Sequence, residues 1–253
     1  MSLPSIFLRE TSDMRLDLYM VENDYAVSRT AAQRMIAEGG VSVNGRVVDK
    51  PSFDVGDGAR LSVTDSMEYV SRGGYKLKGA IDAFEIDVSG DICLDIGASS
   101  GGFTDCLLSH GAEFVYAVDS GINQLHPTLR ENARVESREK CNARYLSRAD
   151  FDKRIDTVVI DVSFISQRLI LPSVAEILDV GGKLITLIKP QFEVGRSGVG
   201  KKGIVKDERL RKGAREEIIT FATTLGFEPV GSITSPILGG DGNEEYLAYF
   251  RKK

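Results

Sequence analysis

The chain has 253 residues, 42% of them hydrophobic and 27% charged, with a formal net charge of -5. That balance suits a soluble protein with a substantial core; it excludes extensive disorder and a wholesale polycation, so nucleic-acid contact must come from a local patch. Cys93, Cys106 and Cys141 show no paired metal-ligand spacing, which argues against zinc and for a reducing, cytoplasmic compartment, and no apolar run nears the roughly 20 residues of a membrane helix.

Residues 1–13 lack the basic start and long apolar stretch of a secretory signal, so they read as a mobile extension, with Met1 to Leu3 as a cloning remnant. From Arg15 to Ile36 the apolar positions Leu16, Leu18, Met20 and Val21, then Ala31, Ala32, Met35 and Ile36, predict two short amphipathic helices, divided near Ser28 as a candidate N-cap. Val41 to Val48 reads as strand, Asn44-Gly45 turn and strand, a strong hairpin signal. The unit ends near Val63.

Arg15-Leu16-Asp17, Ser28-Arg29 with Ala32, Ile36 with Gly39, Val43-Asn44-Gly45 and Lys50-Pro51 together resemble the ribosomal S-four-type RNA-binding domain. The resemblance implies a small α+β RNA-binding domain over 14–63, with Arg15, Arg29, Arg34 and Lys50 as phosphate contacts. Its six Lys and Arg stand against seven acids, so its own affinity for RNA is expected to be modest.

A linker over 64–70 precedes the second expected domain, 71–253. Ser71 to Lys78 opens a helix with Leu77, Ala80, Ile81 and Phe84 on one face. Strands are predicted at Ile92 to Ile96, Phe114 to Asp119, around Val135, Ile155 to Asp161, Lys183 to Lys189, Glu228 to Thr234 and Glu245 to Phe250. Helices are predicted at Gly102 to Ser109, Ile165 to Leu178 and Asp207 to Leu225. This alternation predicts an α/β fold, a mainly parallel sheet covered on both faces, with ligands at the carboxyl ends of its strands.

The run Leu94 to Asp105 puts an acid and a glycine-rich turn between an apolar strand and a helix, and Asp119 ends the next strand, where a carboxylate can hold both ribose hydroxyls of a nucleoside. A dinucleotide site would want glycine where Ser99 stands, and Asp95 would repel a pyrophosphate. Gly97-Ala98-Ser99-Ser100-Gly101 also fits a hydrolase nucleophile elbow, but His110 and His126 are the chain's only histidines and neither follows the later strands as the triad order needs.

With Val118-Asp119, Ser71-Arg72-Gly73, Asp161 to Ser166, Lys189-Pro190-Gln191-Phe192-Glu193, Gly203 to Asp207 and Gly242 to Tyr246, this run resembles the TlyA, or haemolysin-A-like, family, related to FtsJ-type ribose methyltransferases. The resemblance implies a Rossmann-like methyltransferase with a mainly parallel seven-stranded sheet and S-adenosylmethionine as cofactor. The cofactor would be held by Asp95, Gly97, Ala98, Ser99, Gly101, Gly102, Phe103, Asp119 and Asp161, with Glu139 and Asn142 on the adenine side. It implies a catalytic set of Lys76, Asp161, Lys189 and Glu245, with Lys78 an alternative to Lys76. The implied partner is ribosomal RNA or a ribosomal subunit, and the reaction 2'-O-methylation of ribose, with cytidine the suggested base.

A ribose hydroxyl has a high pKa and gains from a cation or proton acceptor beside its oxygen, which a lysine can supply. Lys189 would position and activate it, Asp161 would orient Lys189, and Lys76 and Glu245 would support them. Base-amino methyltransferases use prolines after the fourth strand that Asp161-Val162-Ser163-Phe164 lacks, although Phe164 can stack on a base. From Arg196 to Arg215 eight Lys and Arg stand against two acids, with Arg196, Lys201, Lys202 and Lys206 the expected RNA contacts there, and Arg72 is a further expected contact outside that run. Two other classes stay open: a haemolysin, for which no membrane-inserting segment speaks, and an inactive RNA-binding assembly factor on the same fold.

Overall fold

Hydrophobic periodicity accounts for most elements of the computed structural model, which describes residues 14–26, 28–37, 39–56, 58–63, 68–200, 203–239 and 242–253. The expected extension 1–13, Lys201, Lys202 and the side chains of Arg34 and Arg196 lie outside the described residues. The chain divides into two units, Met1–Glu68 and Tyr69–Lys253.

In the first unit, β1 (Met14–Arg15) leads into α1 (Leu16–Glu22) and α2 (Arg29–Ala37), and the Ser28 hydroxyl accepts from the Ala31 N–H as an N-cap does. β2 (Val41–Val43) and β3 (Arg46–Val47) form the hairpin, with Asn44 and Gly45 both at positive φ as a tight primed turn requires. β4 (Asp54–Val55) pairs with β1, and β5 (Leu61–Val63) with β2. Leu16, Met20, Ala32, Ile36, Val41, Val43, Val48 and Val55 close a core of their own. Beside it Asp17 is fully buried, and the Arg15 guanidinium, with Gln33 and Arg29, holds its carboxyl well below the usual range.

The second unit begins with α3 (Gly73–Phe84) and continues as β6 (Ile92–Ile96), α4 (Gly102–Ser109), β7 (Phe114–Val118), α5 (Pro127–Arg130), β8 (Val135–Arg138) and β9 (Thr157–Ile160). Then come α6 (Leu171–Ile177), β10 (Lys183–Ile188), α7 (Pro190–Glu193), α8 (Glu208–Thr224), β11 (Phe227–Thr234) and β12 (Tyr246–Lys252). The seven strands run β11-β12-β10-β9-β6-β7-β8, parallel except where β12 meets β10 and β11.

Alternate residues of the central strands feed two cores. Cys93, Val115, Ala117, Val159 and Ile185 pack with Leu77, Phe103 and Leu107 of α3 and α4, whereas Leu94, Tyr116, Val158, Ile160 and Leu184 pack with Val174 of α6 and Ile218 of α8. Enclosing each leucine among them is worth roughly 1.5–3 kcal/mol. The single helix expected over Ile165 to Leu178 is replaced by a 3-10 turn, Gln167–Leu169, and then α6, because Pro172 has no N–H to give and fits only a first helical turn. Among the described residues no helix is long and apolar enough to cross a membrane.

Candidate active site

The parallel strands bring the acidic and glycine-rich motifs to one edge. After β6 the chain turns at Gly97, φ +86°, so close to β9 that a Cβ there would lie 2.3 Å from the Asp161 carbonyl oxygen. Only glycine allows that approach. Asp119, just past β7, accepts from the Ser99 N–H at 2.9 Å and the Gly121 N–H at 2.6 Å, which fastens it to the turn after β6. A carboxylate has about four acceptor positions, so two are left for the hydroxyls of a ligand.

Beside these residues lies a cavity of about 550 Å³, whose walls include Gly97, Ser99, Asp119, Asn142, Asp161 and Phe164. That volume is within the range of small-molecule sites, roughly 300–1,000 Å³. The Asn142 side chain caps the turn that follows it by accepting from the Arg144 N–H at 3.1 Å. Glu139 lines a separate, water-sized pocket with Ala98, and its carboxylate accepts from the Asn123 N–H at 2.7 Å, so its direct work is to hold the 120–124 loop.

Four further expected cofactor contacts stand back from the cavity. Asp95 is fully buried in β6; one oxygen accepts from the Thr104 hydroxyl at 2.7 Å and the other has no hydrogen-bond partner. Burial, against the pull of Thr104, pushes its carboxyl up to about 7. Gly101 lies against Leu125 and Leu129, Gly102 against Ser71 and Gly74, and Phe103 is part of the core, so these three shape the turn through packing.

At the same edge the catalytic candidates form two ion pairs. Lys189 Nζ is 2.5 Å from Asp161 Oδ1 and donates to the Ser163 hydroxyl at 3.0 Å. Lys76 Nζ is 2.6 Å from Glu245 Oε2, both side chains buried. Register explains the grouping: Ile188 pairs with Tyr246, so Lys189 and Glu245 are neighbours where β10 ends and β12 begins. Lys78 instead pairs with Asp82 along the helix surface, which leaves Lys76 as the buried lysine of α3.

Sequence reasoning missed Ser163, Gln124 on the cavity wall, Thr104 under Asp95, and Gln191, whose amide nitrogen is 3.4 Å from Glu245. Ser163 and Gln191 stood inside runs already singled out; Gln124 carries no pattern at all. His110 bonds to the Cys106 carbonyl and His126 caps α5, so neither histidine serves Ser99.

The expected RNA contacts differ in how they are held. Arg15 and Arg29 are both held by Asp17 with their heads partly in solvent, Lys50 and Lys206 are exposed, and Arg72 donates to the Leu238 carbonyl at 3.0 Å. Within the basic run Arg211, Lys212 and Arg215 each pair with an acid, so it presents less free charge than its composition.

Comparison with known proteins gives the same two parts. Residues 69–252 match the FtsJ-like methyltransferase family and residues 14–61 the S4 domain. The chain is 41% identical over 239 residues to the 16S/23S rRNA (cytidine-2'-O)-methyltransferase TlyA of Mycobacterium tuberculosis, covering 94% of this chain and 89% of that protein. It is 45% identical over 238 residues to Hemolysin A of Brachyspira hyodysenteriae, covering 94% and 99%. A solved structure from Streptococcus thermophilus, described under a hemolysin name, superposes with a TM-score of 0.75 at 43% identity, covering 95% of this chain and 89% of that one. The chain belongs to the TlyA family of FtsJ-like methyltransferases, with an S4 domain ahead of the catalytic one.

Proposed function

We propose that the protein methylates the 2'-oxygen of a cytidine ribose in ribosomal RNA, with S-adenosylmethionine as methyl donor, acting on ribosomal subunits in the cytoplasm. The observation that carries this reading is the pairing of Lys189 with Asp161, a wall residue of a nucleoside-sized cavity that also bears Asp119. The relatives' activity and the S4 domain support the choice of substrate.

When bound, S-adenosylmethionine supplies an electrophilic methyl group on a positively charged sulfur. Asp119 would hold the cofactor's ribose hydroxyls with its spare lone pairs, and Asn142 would face its adenine. Asp161 keeps the Lys189 ammonium aimed into the cleft and puts negative charge near the sulfonium. Lys189 Nζ donates to the 2'-oxygen, orients its lone pair, and lowers the cost of the negative charge that grows on that oxygen as its proton passes to solvent water while the methyl group is transferred. Lys76 and Glu245 keep the end of β12 in register with β10. Phe164, 92% exposed on the rim, offers a face for the target base.

Calorimetric titration tests the first requirement: the wild type binds S-adenosylmethionine, and Asp119→Ala weakens binding by at least about tenfold, the order expected for two lost hydrogen bonds to a charged group. Equal affinity in the two proteins contradicts the assignment.

A further inference from the structure

Next to the site a half-buried carboxylate has no part in the chemistry above. Glu193 ends α7, the short helix that starts just after Lys189. Its two oxygens reach the loop after β9: Oε2 accepts from the Ser166 hydroxyl at 2.6 Å and Oε1 from the Gln167 N–H at 2.9 Å. Gln167, itself 2% exposed, turns its amide to β10, donating to the Leu187 carbonyl at 2.7 Å and accepting from the Thr186 hydroxyl at 2.8 Å. Burial pushes the Glu193 carboxyl up from its ordinary value while the two donors oppose that shift. A carboxyl in such a place is tolerated only when its oxygens are bonded, as these are.

The stretch from Asp161 to Gln167 is therefore fixed at both ends. At one end Asp161 is tied to Lys189, and at the other Ser166 and Gln167 are tied to Glu193, all from the β10–α7 segment. Between the ends stand Ser163, which receives the Lys189 hydrogen bond, and Phe164, whose φ is +64°. That conformation is strained for an aromatic residue and persists where the surroundings impose it. The Phe164 ring lies 5.2 Å from that of Phe192, the neighbour of Glu193 in sequence.

We propose that Glu193 is a positioning residue for the methyl acceptor: through Ser166 and Gln167 it holds the 162–166 loop so that Ser163 meets Lys189 and Phe164 presents its ring to the incoming nucleotide. This rests on the methyltransferase reading. Glu193 touches neither cofactor nor RNA, and its effect travels through hydrogen bonds that a glutamine preserves in part.

The chain contains no tryptophan, so Phe164→Trp gives a single tryptophan reporter on the loop, excited apart from the tyrosines at long wavelength. In that background Glu193→Ala lowers the indole's anisotropy at temperatures well below melting, and Glu193→Gln does not. In the otherwise unmodified chain, Glu193→Ala raises KM for ribosomal subunits from cells lacking the gene by about tenfold and leaves kcat within about threefold, whereas Glu193→Gln stays within about twofold on both. Ser166→Ala, which removes one arm only, gives a smaller loss of anisotropy and stands in should Glu193→Ala not fold. Unchanged anisotropy and KM in the alanine variants, or equal losses with glutamine, overturn the proposal. Absence of methyl transfer by the wild type overturns the functional reading instead, and leaves the anisotropy comparison intact.

Discussion

Lys76 and Lys189 are both enclosed ammonium groups with an acid at hydrogen-bond distance, but they differ in what their removal exposes. Glu245 is 2% exposed, so truncating Lys76 strands a buried carboxylate at about 3–5 kcal/mol and mixes stability with catalysis. Asp161 lines an open cavity, which makes Lys189 the cleaner probe of chemistry. Asp95 yields a prediction that needs no substrate. Its folded pKa, up to about 7, exceeds that of an unfolded carboxyl, so the native state binds the extra proton and stability falls as pH rises from about 4 to about 7. Asp95→Asn removes that dependence: in melts without cofactor the variant's advantage over wild type is larger at pH 8 than at pH 5, and a constant difference would count against the assignment. Residue identity made Asp119 and the two lysine–acid pairs legible beforehand. Asp95 was placed on the correct strand, but its full burial was not legible, because the pattern reports where a strand ends and not how deeply its last residues sink.

Among the elements, the turn between β6 and α4 carries the strictest geometric demand. Gly97→Ala forces a methyl group against the Asp161 carbonyl and holds a positive φ, for a cost of about 1–3 kcal/mol. Because the atom it strikes belongs to the backbone of Asp161, on the wall of the cavity, the variant loses cofactor affinity by more than about tenfold alongside that loss of stability. Calorimetry and thermal melts on the same sample check both, and a variant that melts lower yet binds normally separates the turn from the site. β6, a central strand buried on both faces, was bounded by its apolar run to the residue, as was α4. The stretch before α6 was not, since 3.6-residue spacing continues across Ser166 to Ile170 while Pro172 and the hydrogen bonds to Glu193 decide the backbone there. The short turns at Ala143–Tyr145 and Arg148–Asp150 follow Asn142 and Ser147 caps rather than any apolar period.

For the whole molecule, a net charge of -5 leaves any contact with RNA to local basic groups, and the ion pairs within the Arg196 to Arg215 run reduce the free charge there. Binding to ribosomal RNA accordingly weakens by at least about tenfold between 50 and 200 mM salt through counterion release, whereas binding of S-adenosylmethionine changes by less than about twofold. Filter-binding and calorimetric titrations at the two salt concentrations check this, and a salt-insensitive RNA complex would contradict it. The order of the two domains was readable because each has its own hydrophobic period and motif set, and each closes a separate core. The claim on which the account turns is that Lys189 activates a ribose hydroxyl. Mass spectrometry of ribosomal RNA from cells lacking the gene, complemented with either the wild type or Lys189→Ala, tests it most directly. The account predicts a cytidine 2'-O-methyl group that the wild type restores and the variant does not, and full restoration by Lys189→Ala would contradict it.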